Sequence, residues 1–341
     1  MTANRTVVLK SRPVGKLRET DFEIVDLPPP DLADGQIRTR NLFGSLDPGT
    51  RKLFGAAEGY IQPIAIGAPF TCLVLGEVLE SRNKGYAPGD LIIGDGALQE
   101  ISIVSPGPMT RVIDPNLSPS LSHHMSVLGS AGLTAYFGLL DIGEPKPGQT
   151  VLVSAASGAV GSLVGQIARL KGCRVVGIAG GPEKCARLKH EFRFDAAIDH
   201  RGKSVAELAQ AIQEAAPEGV DVCFDNVGGG HFDAALAAMN WGGRIAACGM
   251  ISEYDSGGGQ TFHNLFGVIG KILTIRGFLL FTFAERFPEA VAELAAWVGD
   301  GRLTFREQIQ EGLDAAIPGY LQLFDGANDG KMMVRIAAPT P

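Results

Sequence analysis

Val151-Leu-Val-Ser-Ala-Ala-Ser-Gly-Ala-Val-Gly-Ser162 is the stretch that decides the fold. Val151 to Ser154 predicts a buried strand, and from Leu163 the apolar residues Val164, Ile167 and Ala168 recur at helical period. Between strand and helix, Ala156, Gly158 and Gly161 keep the spacing of a dinucleotide-binding turn, with alanine in the first glycine place. Small residues there let backbone N–H groups approach a pyrophosphate at the positive end of the helix. An ordinary tight turn would also use small residues. Here, however, strand, turn, helix and a second strand (Arg174 to Ala179) follow in order.

Outward from that unit, strand-like runs near 196–198, 220–225, 243–248 and 273–278 alternate with helical patterns such as Val205 to Ala216. Together they predict an α/β domain over 126–303, built on a six-stranded, doubly wound parallel sheet. Residues 1–125 read differently. Short runs at Thr6 to Leu9, Phe22 to Leu27, Gln36 to Leu42 and Thr71 to Glu80 are separated by turn signals such as Ala87-Pro-Gly-Asp90, which predicts a small, mostly β domain. After a last helix, Phe287 to Asp300, strand composition returns at Leu303 to Ile309 and Met332 to Ile336. Residues 304–341 are therefore expected to rejoin the first domain. A ligand is expected in the crevice between the domains, outside the carboxyl ends of the parallel strands.

The chain of 341 residues has a net charge of −7 and no basic block, so nucleic acid is not an expected partner. No apolar run reaches the length of a membrane span. Thr2 to Arg18 alternates polar, basic and apolar residues, which is not a leader pattern and predicts a cytoplasmic protein. Cys72, Cys173, Cys185, Cys223 and Cys248 form no Cys-x-x-Cys pair and do not suggest a disulfide framework. His123 and His124 are adjacent and would point apart, with no Cys or Glu nearby, so no metal site is expected. These residues read as buried thiols and surface imidazoles.

The second strand ends Val175-Val-Gly-Ile-Ala-Gly-Gly181, where an NAD site usually offers an acidic residue to the ribose hydroxyls. Gly180 and Gly181 leave room for a 2′-phosphate, and Lys184 in the next helical turn can neutralise it. Taken alone, Lys184 is equally a solvated helix lysine; with the carboxylate missing, the balance favours NADPH. His200 and Arg201 follow the third strand and lie on the same side of the sheet.

Gly132-Leu-Thr-Ala-Tyr-Phe-Gly-Leu-Leu140, Ala155-Ala-Ser-Gly-Ala-Val-Gly-Ser162, Phe224-Asp-Asn-Val-Gly-Gly229 and Cys248-Gly-Met-Ile-Ser252 occur in that order. In combination the chain resembles the zinc-independent branch of the medium-chain dehydrogenase/reductases. Within it, the chain resembles the leukotriene B4 dehydrogenase, or prostaglandin and alkenal double-bond reductase, group. The resemblance runs from Asn41-Leu-Phe-Gly-Ser-Leu-Asp-Pro48 to Asn328-Asp-Gly-Lys331. It implies a Rossmann domain beside a GroES-like, mostly β catalytic domain, usually in a homodimer. It also implies NADPH-dependent reduction of the carbon–carbon double bond of a small α,β-unsaturated ketone or aldehyde. By position, Lys184 resembles the family's 2′-phosphate lysine. Thr134, Asn226, Cys248, Ser252, Phe278 and Asn328 match segments lining the cofactor there, beside Ser157, Gly158, Ala159, Val160 and Gly161 of the turn and Gly180 and His200 of the 2′-phosphate end. Tyr254 matches the family's catalytic tyrosine, a donor to the substrate enolate or its α-carbon; a phenol titrating near about 10 keeps its proton at neutral pH. The alternative for Tyr254 is a loop ring packed on the cofactor without a chemical role.

The departures concern metal and substrate. Leu46 stands where zinc enzymes of the superfamily carry a cysteine, and no four-cysteine lobe has a candidate here, whereas a catalytic zinc needs about three protein ligands. Gly49 stands where family members commonly place a tyrosine that walls the substrate pocket. Tyr60 either refills that space or belongs to a surface loop. Gly94-Asp-Gly-Ala-Leu-Gln-Glu100 lacks the aromatic residue usual in its loop. Two rival functions share these features: a quinone oxidoreductase of the same superfamily, and a non-catalytic NADPH-binding protein.

Overall fold

Alternation of buried and exposed side chains in the first third of the chain yields short strands, as a mostly β pattern requires. The computed structural model describes residues 4–28, 31–55, 62–255 and 260–339. The chain divides into two units, Met1–Ser126 with Glu307–Pro341, and Val127–Arg306. The first unit opens with β1 (Asn4–Leu9), β2 (Phe22–Leu27), β3 (Ile37–Ser45), β4 (Thr71–Ser81), β5 (Leu91–Ala97), β6 (Ile101–Val104) and β7 (Arg111–Val112). β1 and β2 pair antiparallel, and β3, β4, β5 and β7 follow one another in an antiparallel sheet, with β6 also on β3. Asn41 of β3 is fully buried. Its amide donates to the carbonyl of Gln99 at 2.8 Å and to the Ser102 hydroxyl at 2.7 Å, so the burial leaves no orphaned donor.

The second unit begins with α1 (Ser130–Phe137), continued by a π-helical turn over Gly138–Gly143. Strand and helix then alternate: β8 (Thr150–Val153), α2 (Ala159–Leu170), β9 (Arg174–Ala179), α3 (Pro182–His190), β10 (Ala196–Asp199), α4 (Val205–Ala215), β11 (Val220–Asp225), α5 (Gly229–Ala238), β12 (Met239–Ala247), α6 (Gly267–Gly270), β13 (Thr274–Gly277) and α7 (Phe287–Gly299). The strand order is β10-β9-β8-β11-β12-β13, every pair parallel. This is the doubly wound α/β sheet read from the sequence. β8 sits inside it and is buried along its whole length, which is why its residues are continuously apolar after Thr150.

α2 buries Leu163, Val164, Ile167 and Ala168. It stops where Gly172 takes φ +82 and the Cys173 N–H bonds the Ala168 carbonyl, a left-handed glycine closure. β12 begins at Met239, before the expected 243, because it pairs with β11 across a register shift between Val220 and Val222. The Gly242-Gly243 step hides that early half from a reading by β propensity.

The chain returns to the first unit as β14 (Glu307–Glu311), α8 (Ala316–Gln322) and β15 (Lys331–Arg335). β15 pairs with β3 and extends its sheet to β14. Tyr320 of α8 is fully buried against Phe54 and Phe70 in edge-to-face contacts, and the Thr50 hydroxyl donates to its phenol oxygen at 2.8 Å. The reading of His123 and His124 as surface imidazoles is corrected here. His124 is buried, its Nε2 has no hydrogen-bond partner, and burial holds its ring down to about 4; half-buried His123 meets Ser118 Oγ at 2.5 Å. The turn over Leu121–Met125 lies on the sheet core, so one of two adjacent rings must point inward.

Candidate active site

Because the six strands run parallel, their carboxyl ends share one edge of the sheet, and each is followed by residues singled out from the sequence. Ser157 to Gly161 follow β8, Gly180 follows β9 and His200 follows β10. Asn226 follows β11, Cys248 to Tyr254 follow β12, and Phe278 follows β13. The fold thus brings these residues to the crevice end of the sheet, where α/β proteins bind ligands.

At the turn, Ala155 takes a left-handed φ of 46°, which costs roughly 1–2 kcal/mol in an L-residue. That conformation turns its carbonyl toward the start of α2. A Cβ on Gly161 would stand 2.5 Å from the Ala155 oxygen and 2.8 Å from Ala156 Cα, and one on Gly158 3.2 Å from the same oxygen. Ala156 is itself small because it faces Gly177 of β9, where a Cβ would approach to 2.9 Å. Gly158 caps α2 without a side-chain hydrogen bond, and no acidic residue occupies its first turn. A dinucleotide's pyrophosphate fits this arrangement: a helix N-terminus with undirected N–H groups and no competing anion. Gly161→Ala is expected to cost about 1–3 kcal/mol, since backbone atoms cannot yield to the methyl group, and to weaken dinucleotide binding. Thermal unfolding and a binding titration check this; an unchanged Tm and affinity would show that the turn has room.

A buried carboxylate ties the central loops together. Asp225, 2% exposed, accepts from the Ser154 hydroxyl at 2.6 Å and from the backbone N–H groups of Val227 and Gly228. Burial pushes its carboxyl upward, against those hydrogen bonds. Ser154 also accepts from the Asn226 N–H, and its carbonyl accepts from the Asn226 amide, each at 2.8 Å. The side-chain orientation of Asn226 is thereby fixed from β8. Ser252 then joins the β12 loop to the same segment, donating from its hydroxyl to the Val227 carbonyl at 2.7 Å. Cys248 stays a thiol at neutral pH, pushed up to about 12 by burial and by Asp225.

Beyond β9, a Cβ on Gly180 would stand 3.1 Å from His200 Nε2 and 3.4 Å from Arg201 Nε, and one on Gly181 2.9 Å from Arg201 Nη1. An imidazole and a guanidinium therefore lie over the two glycines, with Lys184 half-buried in the first turn of α3. The acidic residue of this corner, Asp199, accepts from the N–H groups of Arg201 (3.0 Å) and Gly181 (2.8 Å), which hold its carboxyl below the usual range. Both bonds fall on Oδ1 and tie the ends of β9 and β10 together. The donor set fits a 2′-phosphate.

Tyr254 closes the β12 loop. Its phenol oxygen accepts from the Met250 N–H at 3.4 Å and lies where a Cβ on Gly249 would come within 3.2 Å of it. That same Cβ would be 3.3 Å from the Asn226 carbonyl, so phenol and Asn226 flank one glycine. Phe278 packs edge-on to Phe224, and both rings fill the space beside Gly138, where a Cβ would meet Phe278 at 2.4 Å. Thr134 is the half-buried residue in an otherwise buried stretch of α1 from Ala131 to Phe137.

Gly49 and Asn328 belong to the first unit. No described heavy atom lies within 4 Å of a Cβ on Gly49, so the space vacated by a larger residue is not refilled by described residues. Tyr60 lies outside the described residues. The Asn328 amide donates to the Gly330 carbonyl at 3.4 Å. Lys331, 3% exposed, joins these two segments: its amine meets Asp47 at 2.5 Å, the Ser45 hydroxyl at 2.6 Å and the Leu46 carbonyl at 3.2 Å. Among the described residues, no cluster of three or more His, Cys, Asp or Glu side chains is placed to hold a metal ion, and no helix is long and apolar enough to cross a membrane. Ser154, Asp225, Asp199 and Lys331 were not anticipated from sequence. Their motif neighbours were visible, but their partners lie far along the chain.

A family model described as the N-terminal domain of oxidoreductase matches residues 5–112, and one described as zinc-binding dehydrogenase matches residues 159–296. The chain is 38% identical to a 2-alkenal reductase (NADP(+)-dependent) of Nicotiana tabacum, over 98% of each chain. It is 36% identical to an NADPH-dependent curcumin reductase of Escherichia coli, over 98% of this chain and 97% of the relative. Among solved structures, CurA of Vibrio vulnificus in complex with NADPH aligns with a TM-score of 0.89 at 35% identity, over 98% of this chain and all of the other.

Proposed function

Since the chain belongs to the zinc-independent branch of the medium-chain dehydrogenase/reductases, we propose that it reduces the carbon–carbon double bond of α,β-unsaturated ketones or aldehydes with NADPH. The observation that carries this reading is the set of groups at one sheet edge. A helix N-terminus without a side-chain cap, an imidazole and a guanidinium over Gly180 and Gly181, and a phenol beside Asn226 all lie there. The relatives named for NADPH-dependent reduction support the cofactor.

The residues that would hold NADPH are the Ser157–Gly161 turn at the pyrophosphate, with His200, Arg201 and Lys184 at the 2′-phosphate. Asn226, Phe278 and Thr134 would lie toward the nicotinamide. When bound, NADPH supplies the hydride that the substrate β-carbon accepts. The chain's own contribution is positional and protonic. Asp225 and Ser154 lock the Asn226 loop, so the reacting atoms meet a preset surface. The Tyr254 phenol accepts from the Met250 N–H, and as the candidate proton donor it would give its proton to the substrate as an enolate develops. The space beside Gly49, open among the described residues, suits substrates bulkier than those a tyrosine there would admit.

NADPH consumption with simple enones, 2-alkenals and a quinone, followed by product identification, tests the proposal. Saturated ketones and aldehydes are expected. Allylic alcohols would indicate carbonyl reduction, turnover of the quinone alone would indicate a quinone oxidoreductase, and no turnover would indicate a binding protein.

A further inference from the structure

His231, in the first turn of α5, packs its ring edge-to-face on His200, with centroids 4.7 Å apart and planes at 68°. His200 in turn presents Nε2 over Gly180, at the end of β9. Two imidazoles thus stand in series, one at the expected rim of the cofactor and one behind it. We propose that the His200–His231 pair is a proton-accepting specificity element of the nucleotide site, drawing a proton from solvent when a phosphate monoester dianion binds at Gly180. His231 lies behind His200 and adds a second titratable ring to the pair. The inference rests on the NADPH reading given above and deepens it.

Three observations meet here. First, the contact is geometric: the His231 ring limits the rotation of His200 and keeps its nitrogen directed at the glycines. Second, burial disfavours the charged form of both rings. His200 is lowered chiefly by burial, and His231 is held down to about 4 by burial and then by His200. The position of His231 in the first turn of α5 acts in the same sense, since a helix N-terminus disfavours a cation. Third, the fixed charges nearby are already committed. Asp199 and Arg201 act on His200 from its own turn, and Asp199 is engaged by two backbone N–H groups. α3 begins with Glu183 and Lys184, and Lys203 and Glu207 stand before and within α4, the last bonded to Ser204. α5 itself adds Asp233, whose carboxylate accepts from the N–H groups of His263 and Asn264. An arriving dianion is the new charge that shifts the pair toward protonation.

The sign follows directly. Bound phosphate raises the affinity of the pair for a proton, so binding tightens as pH falls until the free protein is itself protonated. One proton taken up corresponds to a change in Kd of about tenfold per pH unit at most. The experiment is calorimetric titration of the full-length protein with NADP+ at pH 6 to 8. Buffers of different ionisation enthalpy report the protons exchanged. His231→Phe keeps an edge-to-face ring without a titratable nitrogen, and His200→Phe removes the rim group. The wild type should take up a larger fraction of a proton than either variant, and its Kd should fall several-fold more between pH 8 and pH 6. The titration of the free 2′-phosphate is common to all three proteins. Equal proton uptake in all three, with NADP+ still bound, overturns the pair's role and leaves the cofactor reading standing. Absence of NADP+ binding to the wild type overturns both.

Discussion

Tyr254→Phe is expected to lower kcat with an enone by tens-fold or more while leaving the NADPH Kd within about twofold, because general acid catalysis typically contributes about 10²–10⁴ in rate. The substitution removes one oxygen and keeps the ring. The Met250 N–H donates to that oxygen over a long 3.4 Å, a contact whose loss costs the loop little. Its neighbours are fixed by other means: Ser252 by the Val227 carbonyl, and Asn226 by Ser154. A fall in kcat without a fall in Tm or cofactor affinity would therefore report chemistry and not collapse of the loop. Single-turnover measurement with preloaded cofactor separates proton delivery from product release. If turnover remains near normal, the proton comes from water or from a hydroxyl of the cofactor, and Tyr254 only packs the loop.

The parts of this molecule legible in its sequence are those whose physics is local. Val151 to Ser162 shows the strand, the turn and the helix because each follows from residues within about a dozen positions, and the buried β8 and amphipathic α2 lie there. Gly180 and Gly181 are informative for the same reason, as an absence of acid at a position set by one strand end. The supports of the site are not local. Asp225 is explained by Ser154, 71 residues earlier, and Lys331 by Asp47, 284 residues earlier. Neither pairing has a periodicity to reveal it. His231 belongs to the His200 corner only because α5 follows β11 and returns across the sheet, while β10 lies at the other end of the strand order. The left-handed Ala155 was equally hidden, since nothing in alanine announces a positive φ. His124 misled for the converse reason: a polar ring was assigned to solvent, yet its turn is pressed onto a sheet core.

Gly180→Asp combined with Lys184→Ala is expected to reverse the cofactor preference from NADPH to NADH, a change of about 10²–10⁴ in relative affinity if two charge-assisted contacts of roughly 1.5–3 kcal/mol each are lost. The backbone admits the change. Gly181 has φ +93 and would be strained by any side chain, whereas Gly180 has no positive φ, so the new carboxylate can be placed at 180 and not at 181. The space is tight but yielding, because the nearest atoms to the new Cβ are the ends of His200 and Arg201 at 3.1 and 3.4 Å. Those ends are also what the carboxylate would capture. Arg201 paired with it no longer offers its charge to a phosphate, and the same carboxylate now repels a 2′-phosphate and can accept from ribose hydroxyls. Asp199, in the wild type, gives its Oδ1 to the Gly181 and Arg201 N–H groups. Kd values for NADPH and NADH, taken beside each single variant, give the reversal and its additivity; both substitutions act on the same phosphate, so the double variant should fall short of the sum. Retained preference for NADPH in the double variant would mean that the 2′-phosphate lies away from Gly180, and the His200 corner would lose its place in cofactor selection with it.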